Sequence, residues 1–288
     1  MQNIPIKRIK ANGIQFAYFE KGEGPLMLVL HGFPDTPHSF LPLMNIFAEQ
    51  GYRVVAPFMR GYFPTSRSTE GDYSVLGLAN DVISIIDALA ITEEKAIVVG
   101  HDWGALAAYV AANLAPEKIS ALIQMSVPHM HVSNFTWAQV RRSWYVWFFQ
   151  IPWLPEKRLP NNNFGFIDKL YSAWSPNWDY PPERLDEIKK ALAVEGGVKA
   201  ALAYYRAMIR GMTMQQMRFM QQQTTVPTLL IAGEADGSVG IEQFKNMSRA
   251  YTDFFRFMSY PNIGHFPHNE NCDTLAADIL EFIKQCHL

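Results

Sequence analysis

Cysteine is scarce in this chain: two among 288 residues, Cys272 and Cys286, both near the C-terminus. A disulfide framework is therefore excluded, and two reduced thiols on or beside a terminal helix are expected. No Cys/His cluster has zinc-ligand spacing, so chemistry without a metal or cofactor is the working expectation. An excess of one charge is also missing. Lys and Arg number 25 against 27 Asp and Glu, for a formal net charge of −2. With no block of like charge, neither nucleic acid nor a membrane surface is expected as a partner. No apolar run approaches the ~20 residues of a membrane span. The opening stretch, residues 1–11, lacks the apolar centre of a signal peptide. A cytoplasmic protein is the expectation.

What is present is apolar residue in quantity, 49% of the chain, enough for one large core. Short β-rich runs at Ile14–Phe19, Leu26–Leu30, Arg53–Ala56, Ala96–Val99, Ala121–Ser126, Thr228–Ala232 and Phe255–Ser259 predict strands. Amphipathic stretches near Phe40–Gln50, Val75–Leu89, Gly104–Leu114, Ile241–Tyr251 and Thr274–Gln285 predict helices between and after them. Such alternation makes an α/β protein with a mostly parallel sheet covered on both faces. The alternation stops between about Pro128 and Gln223. Six of the seven tryptophans lie there, and a helical cap over 129–222 is expected, on a core of 1–128 and 223–288. Packing inside that cap is the plainer expectation for any one tryptophan. As a group they imply an apolar floor where cap meets core. The methionines from Met208 to Met220 have helical spacing, which favours packing over substrate contact.

The sharpest motif is Ala96-Ile97-Val98-Val99-Gly100-His101-Asp102-Trp103-Gly104-Ala105. A strand, a glycine-flanked turn and a small-residue helix make the nucleophile elbow usually written G-x-S-x-G, here with Asp102 in place of serine. The strained turn pushes its central residue into the cleft at a helix N-terminus, where the dipole favours an anion. A carboxylate attacking an ester would form a labile anhydride. It suits displacement at an sp³ carbon instead, giving a covalent alkyl ester that activated water must hydrolyse. A ring-opened epoxide oxygen or a halide could leave.

The partners follow in the order acid, then histidine. Asp236, in Gly233-Glu234-Ala235-Asp236-Gly237, is favoured over Glu234 as the acid. His265, in Gly264-His265-Phe266, is favoured over His268 as the base. His265 would take a proton from water while Asp236 orients the imidazole. The loop at the end of the fifth predicted strand, Ser126-Val127-Pro128-His129, offers no rival carboxylate. His31-Gly32-Phe33-Pro34-Asp35 resembles the H-G-x-P loop opposite such an elbow. There the backbone N–H groups of Phe33 and Trp103 would face the Asp102 carboxyl as an oxyanion hole. His31 would hold the loop and take no part in proton transfer. Phe33–Pro34 is a bond at which a cis peptide is accessible.

Together with Arg60-Gly61-Tyr62, these motifs resemble the epoxide hydrolase branch of the α/β-hydrolase superfamily. The resemblance implies two cap tyrosines that bind the epoxide oxygen. Ser143-Trp144-Tyr145-Val146-Trp147-Phe148-Phe149-Gln150 and Ala203-Tyr204-Tyr205-Arg206 match their segments, placing them at Tyr145 and Tyr205, with Tyr204 as the rival to Tyr205. Phe33, Trp103, Tyr145 and Tyr205 would then touch a small, largely apolar epoxide. A haloalkane or haloacid dehalogenase with the same Asp nucleophile is the alternative. Phe33 after His31-Gly32, and Trp103 where one dehalogenase group has arginine, weigh against it. A non-catalytic ligand-binding protein of the same fold is a third reading, against which the intact nucleophile, base and acid speak. The oligomeric state is left open between monomer and homodimer.

Overall fold

A computed structural model describes residues 4–89, 95–132 and 134–287; residues 1–3 of the N-terminal stretch lie outside them. Eight strands, β1 Lys7–Ala11, β2 Ile14–Lys21, β3 Leu26–Leu30, β4 Arg53–Pro57, β5 Ala96–His101, β6 Ile119–Met125, β7 Thr228–Gly233 and β8 Phe255–Tyr260, form one sheet. Its order is β1-β2-β4-β3-β5-β6-β7-β8. The β1–β2 and β2–β4 pairs are antiparallel, and every pairing from β4 to β8 is parallel. β5 is buried along its whole length, as its unbroken apolar run requires of a central strand covered on both faces. The helices α1 Leu41–Glu49, α2 Val75–Leu89 and α3 Trp103–Leu114 belong to this layered core. α2 packs on α3, and α3 packs on β5 and β6.

Between β6 and β7 the described residues carry helices and no strand of the sheet. These are α4 Trp137–Arg142, α5 Trp144–Phe148, α6 Leu154–Arg158, α7 Asn161–Trp174, α8 Asp186–Ala193, α9 Gly197–Arg210 and α10 Met214–Gln221. After β8 come α11 Pro267–Glu270 and α12 Cys272–Gln285, and α12 packs on α1. Both cysteines are free and sit at the two ends of α12. Among the described residues no helix is long and apolar enough to cross a membrane.

Three expectations need correction. β1 was not anticipated because its residues, Lys-Arg-Ile-Lys-Ala, are mostly exposed. A charged edge strand shows no apolar alternation. Its hairpin is set instead by Asn12-Gly13, with φ of +45° and +72°, the two-residue turn that matches strand twist. Second, Ile241–Tyr251 is not one helix. It is two 3₁₀ turns, Ile241–Phe244 and Met247–Ala250, separated by an extended Lys245 and by Asn246 at φ +60°. Phe244, Met247 and Ala250 still bury together against β7; their spacing of three imitates a helix face, and 3₁₀ turns satisfy it equally. Third, the aromatic and Met-rich segment is not all core. Trp174 and Met220 are buried, but Trp137, Trp144, Trp147, Trp153, Met214 and Met217 face outward.

The helical segment is tied to the core at a loop that a buried ion pair holds in place. Arg60 Nε lies 2.5 Å from Asp81 Oδ2 and Arg60 Nη2 2.6 Å from Asp81 Oδ1. Asn12 Nδ2 donates to the same carboxylate at 2.8 Å. The Tyr204 hydroxyl of α9 donates to the Arg60 carbonyl at 2.7 Å. Arg60→Leu strands the Asp81 charge, so unfolding by urea should show a loss of roughly 3–5 kcal/mol. A loss below ~1 kcal/mol would mean that this pair does not anchor the fold.

Candidate active site

Asp102 stands between β5 and α3 at φ +51°, ψ −120°, a region that a non-glycine residue occupies only when its surroundings force it. The forcing contact is the crossing of strand and helix. A Cβ on Gly100 would lie 2.4 Å from the Gly104 carbonyl oxygen, and one on Gly104 would lie 2.3 Å from the Leu30 carbonyl oxygen. Only glycines allow that approach. The Phe33 N–H donates to Asp102 Oδ1 at 2.8 Å. Trp103 opens α3, so its N–H is one of the helix's unpaired first-turn donors. The peptide between Phe33 and Pro34 is cis.

His265 Nδ1 lies 2.7 Å from Asp236 Oδ2, and its Nε2 lies 3.6 Å from Asp102 Oδ2. The other Asp236 oxygen accepts from the N–H groups of Ser238 and Val239 at 2.7 and 2.9 Å. These bonds fix the carboxylate before the histidine meets it. The loops after β7 and β8 are joined through one carbonyl: Trp174 O accepts from the N–H of Gly237 and of His265, both at 3.1 Å. Glu234 is elsewhere, accepting from the Ser259 hydroxyl at 2.7 Å. His268 pairs with Asp35 at 3.2 Å and stacks on Phe40. His31 Nε2 accepts from the Met59 N–H at 3.0 Å, and burial holds its pKa down at about 4. It is a neutral prop of its loop.

Facing Asp102, the structure brings together both tyrosines. Tyr145 and Tyr205 are buried with ring centroids 5.9 Å apart. Tyr205 packs edge-on to Trp103 and Phe33, at 5.0 and 5.4 Å. The Tyr145 hydroxyl shares a hydrogen bond with Ser238 Oγ at 3.0 Å; the Tyr205 hydroxyl is buried against the Trp103 side chain, its hydrogen-bonding neighbour. Tyr204 spends its proton on the Arg60 carbonyl. Burial, and then the negative charge of Asp102, raise both the Tyr145 and the Tyr205 pKa. Both phenols therefore stay protonated near neutral pH. The sequence did not point to Trp174, whose ring lies 5.0 Å from His265 and 4.9 Å from Tyr145, nor to Phe149, 5.0 Å from Tyr205. Phe149 stood in the segment that matched a catalytic tyrosine; no sequence signal singled out Trp174 from its neighbours.

The alpha/beta hydrolase fold family matches residues 25–271. The chain belongs to that family, and its relatives place it in the epoxide hydrolase branch. It is 30% identical to the AB hydrolase superfamily protein YfhM of Bacillus subtilis over 99% of both chains. It is also 30% identical to human Epoxide hydrolase 4, over 96% of this chain and 78% of that one. Among solved structures, epoxide hydrolase VrEH1 of Vigna radiata superposes with a TM-score of 0.83 at 26% identity, covering 99% of each chain. A laboratory-evolved variant of potato epoxide hydrolase does so with a TM-score of 0.84 at 27% identity, covering 98% of this chain and 100% of that one.

Burial disfavours the charged imidazole of His265, but the Asp236 and Asp102 carboxylates outweigh it and push its pKa up to about 10. Removing the Asp102 charge removes part of what stabilises the imidazolium, so Asp102→Asn should lower the pKa read by imidazole NMR. The charged ring stabilises the fold fully below the unfolded histidine's pKa, and that contribution is lost as pH rises towards 10. An unchanged titration in Asp102→Asn would show that the two groups are not coupled.

Proposed function

We propose that this chain hydrolyses epoxides to vicinal diols through an alkyl ester on Asp102. The observation that carries the reading is a carboxylate at the elbow with two buried, protonated phenols facing it. Asp102 Oδ2 attacks an epoxide carbon and that carbon's C–O bond breaks. The ring oxygen takes up the electron pair and accepts a proton from Tyr145 or Tyr205. Both donors act where charge develops, which is what lowers the barrier. A strained ether oxygen needs a proton donor to leave, whereas a halide does not. Paired phenols therefore favour the epoxide over the haloalkane reading.

The second half-reaction needs a base. Esterification neutralises Asp102, which removes one of the two charges that raise the His265 pKa. The imidazolium can then give up its proton, which restores the phenol spent in the first half-reaction, and His265 becomes a base at the step that needs one. His265 Nε2 removes a proton from water, and the oxygen adds to the Asp102 carboxyl carbon. The negative charge falls on Oδ1, beside the N–H groups of Phe33 and Trp103. Collapse breaks the bond to the alkyl oxygen, which takes the proton from His265 and leaves as the diol; the re-formed Asp102 acid then ionises and returns its proton to His265. We assign 129–222 to a lid over a core of 1–128 and 223–288, because both tyrosines, Phe149 and Trp174 come from that stretch. The proposed substrate is small and largely apolar, as the ring-lined walls favour.

In His265→Gln the ester should form but not turn over, and intact-protein mass should rise by the mass of the epoxide. Full turnover in that variant would remove His265 from the mechanism. Tyr145→Phe and Tyr205→Phe keep the rings and delete the donors. Each should slow alkylation partially, and the double variant by roughly 10²-fold or more. Near wild-type epoxide opening by the double variant, or halide release from haloalkanes at a comparable rate, would favour the dehalogenase reading.

A further inference from the structure

The outward face of the segment from α4 to α6 does not fit a protein surface meant only for water. Trp137, Trp144, Trp147 and Trp153 are 77%, 50%, 60% and 73% exposed. Four indoles on one short stretch of chain at those exposures offer on the order of 500 Å² of aromatic surface. They are not loosely placed. Trp144 and Trp147 lie one turn apart on α5, while Tyr145 and Phe149 turn inward to the catalytic side. Trp153 caps α6 at φ +50°, and the buried Pro155 and Leu159 behind it anchor that turn. Inward residues hold the segment; the indoles are what it displays.

The charge on the same segment has one sign. Residues 134–160 hold Arg141, Arg142, Lys157 and Arg158 against one acid, Glu156, and Glu156 is already paired with Arg206. Arg142 pairs with Glu242. Arg141, Lys157 and Arg158 have no ion-pair partner among the described residues. Whole-chain charge, −2, hides this local excess. We propose that this face seats the enzyme on the surface of an anionic lipid bilayer, with the indoles at the headgroup level and the guanidinium and ammonium groups on lipid phosphates. Tryptophan is suited to that layer, because its ring is apolar and its N–H polar. Arginine and lysine add attraction to an anionic leaflet.

A symmetric dimer through this face would set each subunit's cations against the same cations of its copy. Helices of five or six residues are also too short to serve as a groove-binding recognition helix. The face borders a cavity of about 460 Å³, lined by Arg141, Arg142, Trp144, Lys169 and Trp174. Trp174 is the ring that touches His265 and Tyr145. Docking would therefore bring the site's outer wall to the phase into which apolar molecules partition.

The test is flotation of the purified full chain with vesicles of phosphatidylcholine alone and of phosphatidylcholine with phosphatidylglycerol. It uses no substrate, so it stands apart from the epoxide reading. Binding is expected to the anionic vesicles, with a blue shift of tryptophan emission, and to weaken in salt. Trp147→Ala/Trp153→Ala should weaken it about tenfold or more, and Lys157→Glu/Arg158→Glu likewise. Both variants should keep the wild-type melting temperature and the turnover of a soluble substrate. Absence of binding to either vesicle, or equal binding by the variants, overturns the proposal. So does a dimer in sedimentation that the tryptophan variant dissociates, since the face would then be a contact between copies.

Discussion

The site depends on how closely β5 and α3 can cross. Gly100 and Gly104 put backbone where any side chain would collide with a carbonyl. The residue between them is consequently driven to φ +51°. That strain costs about 1–3 kcal/mol, and the fully buried β5 with the Ala-rich α3 behind it supplies the packing that offsets it. Once the crossing is fixed, the Asp102 carboxyl can point only into the cleft. The Phe33 N–H and the α3 N-terminus are already aimed at it. The remaining members are placed by secondary constraints of the same sort, a carbonyl shared by two loops and a carboxylate held by two N–H groups.

Two electrostatic tasks pull against each other in this cleft. In the proposed mechanism Asp102 must be anionic to attack, and its charge raises the pKa of the neighbouring histidine and of the facing phenols together. For the phenols that is useful, because they remain donors. For the histidine it is a handicap, because an imidazolium is no base. The conflict resolves only if the charge disappears before water is activated. Covalent catalysis does that, since the ester is neutral. A mechanism in which His265 activated water for direct attack on the substrate, with Asp102 left ionised, would ask the least basic form of the histidine to act as base. The direction of the His265 pKa shift thus favours two half-reactions on electrostatic grounds.

Much of this was legible in the sequence, and unevenly so. The elbow was legible because its residue types have one steric explanation. Asp236 and His265 were legible because each follows a strand and sits beside a glycine. The two cap tyrosines rested on resemblance rather than on any local rule, and the choice of Tyr205 over Tyr204 could not be made from spacing. Adjacent residues on a helix point about 100° apart, and only the fold reveals that Tyr204 faces the Arg60 carbonyl. β1 was illegible because an exposed edge strand has no apolar period. The false helix at 241–251 came from the opposite problem: a spacing of three buried residues is shared by α-helix and successive 3₁₀ turns, and the deciding residue, Asn246, is distinguished only by its backbone.

The tryptophans show a different limit. Hydrophobic residues are assigned to the interior from composition because burial is what usually makes them favourable. That argument holds for Trp174, Tyr145 and Phe149, whose rings pack on one another beside His265. It fails for Trp144 and Trp147 in the same short helix, since a five-residue α5 has two faces and only one core to meet. A segment this rich in aromatics has more ring surface than its inner side can bury. The excess must face water, a partner or a bilayer. Where the excess concentrates beside unpaired cations and outside the wall of the cleft, the physical chemistry favours the last of these. The same aromatic richness then serves two purposes, lining a dry site on one side and presenting an interfacial surface on the other.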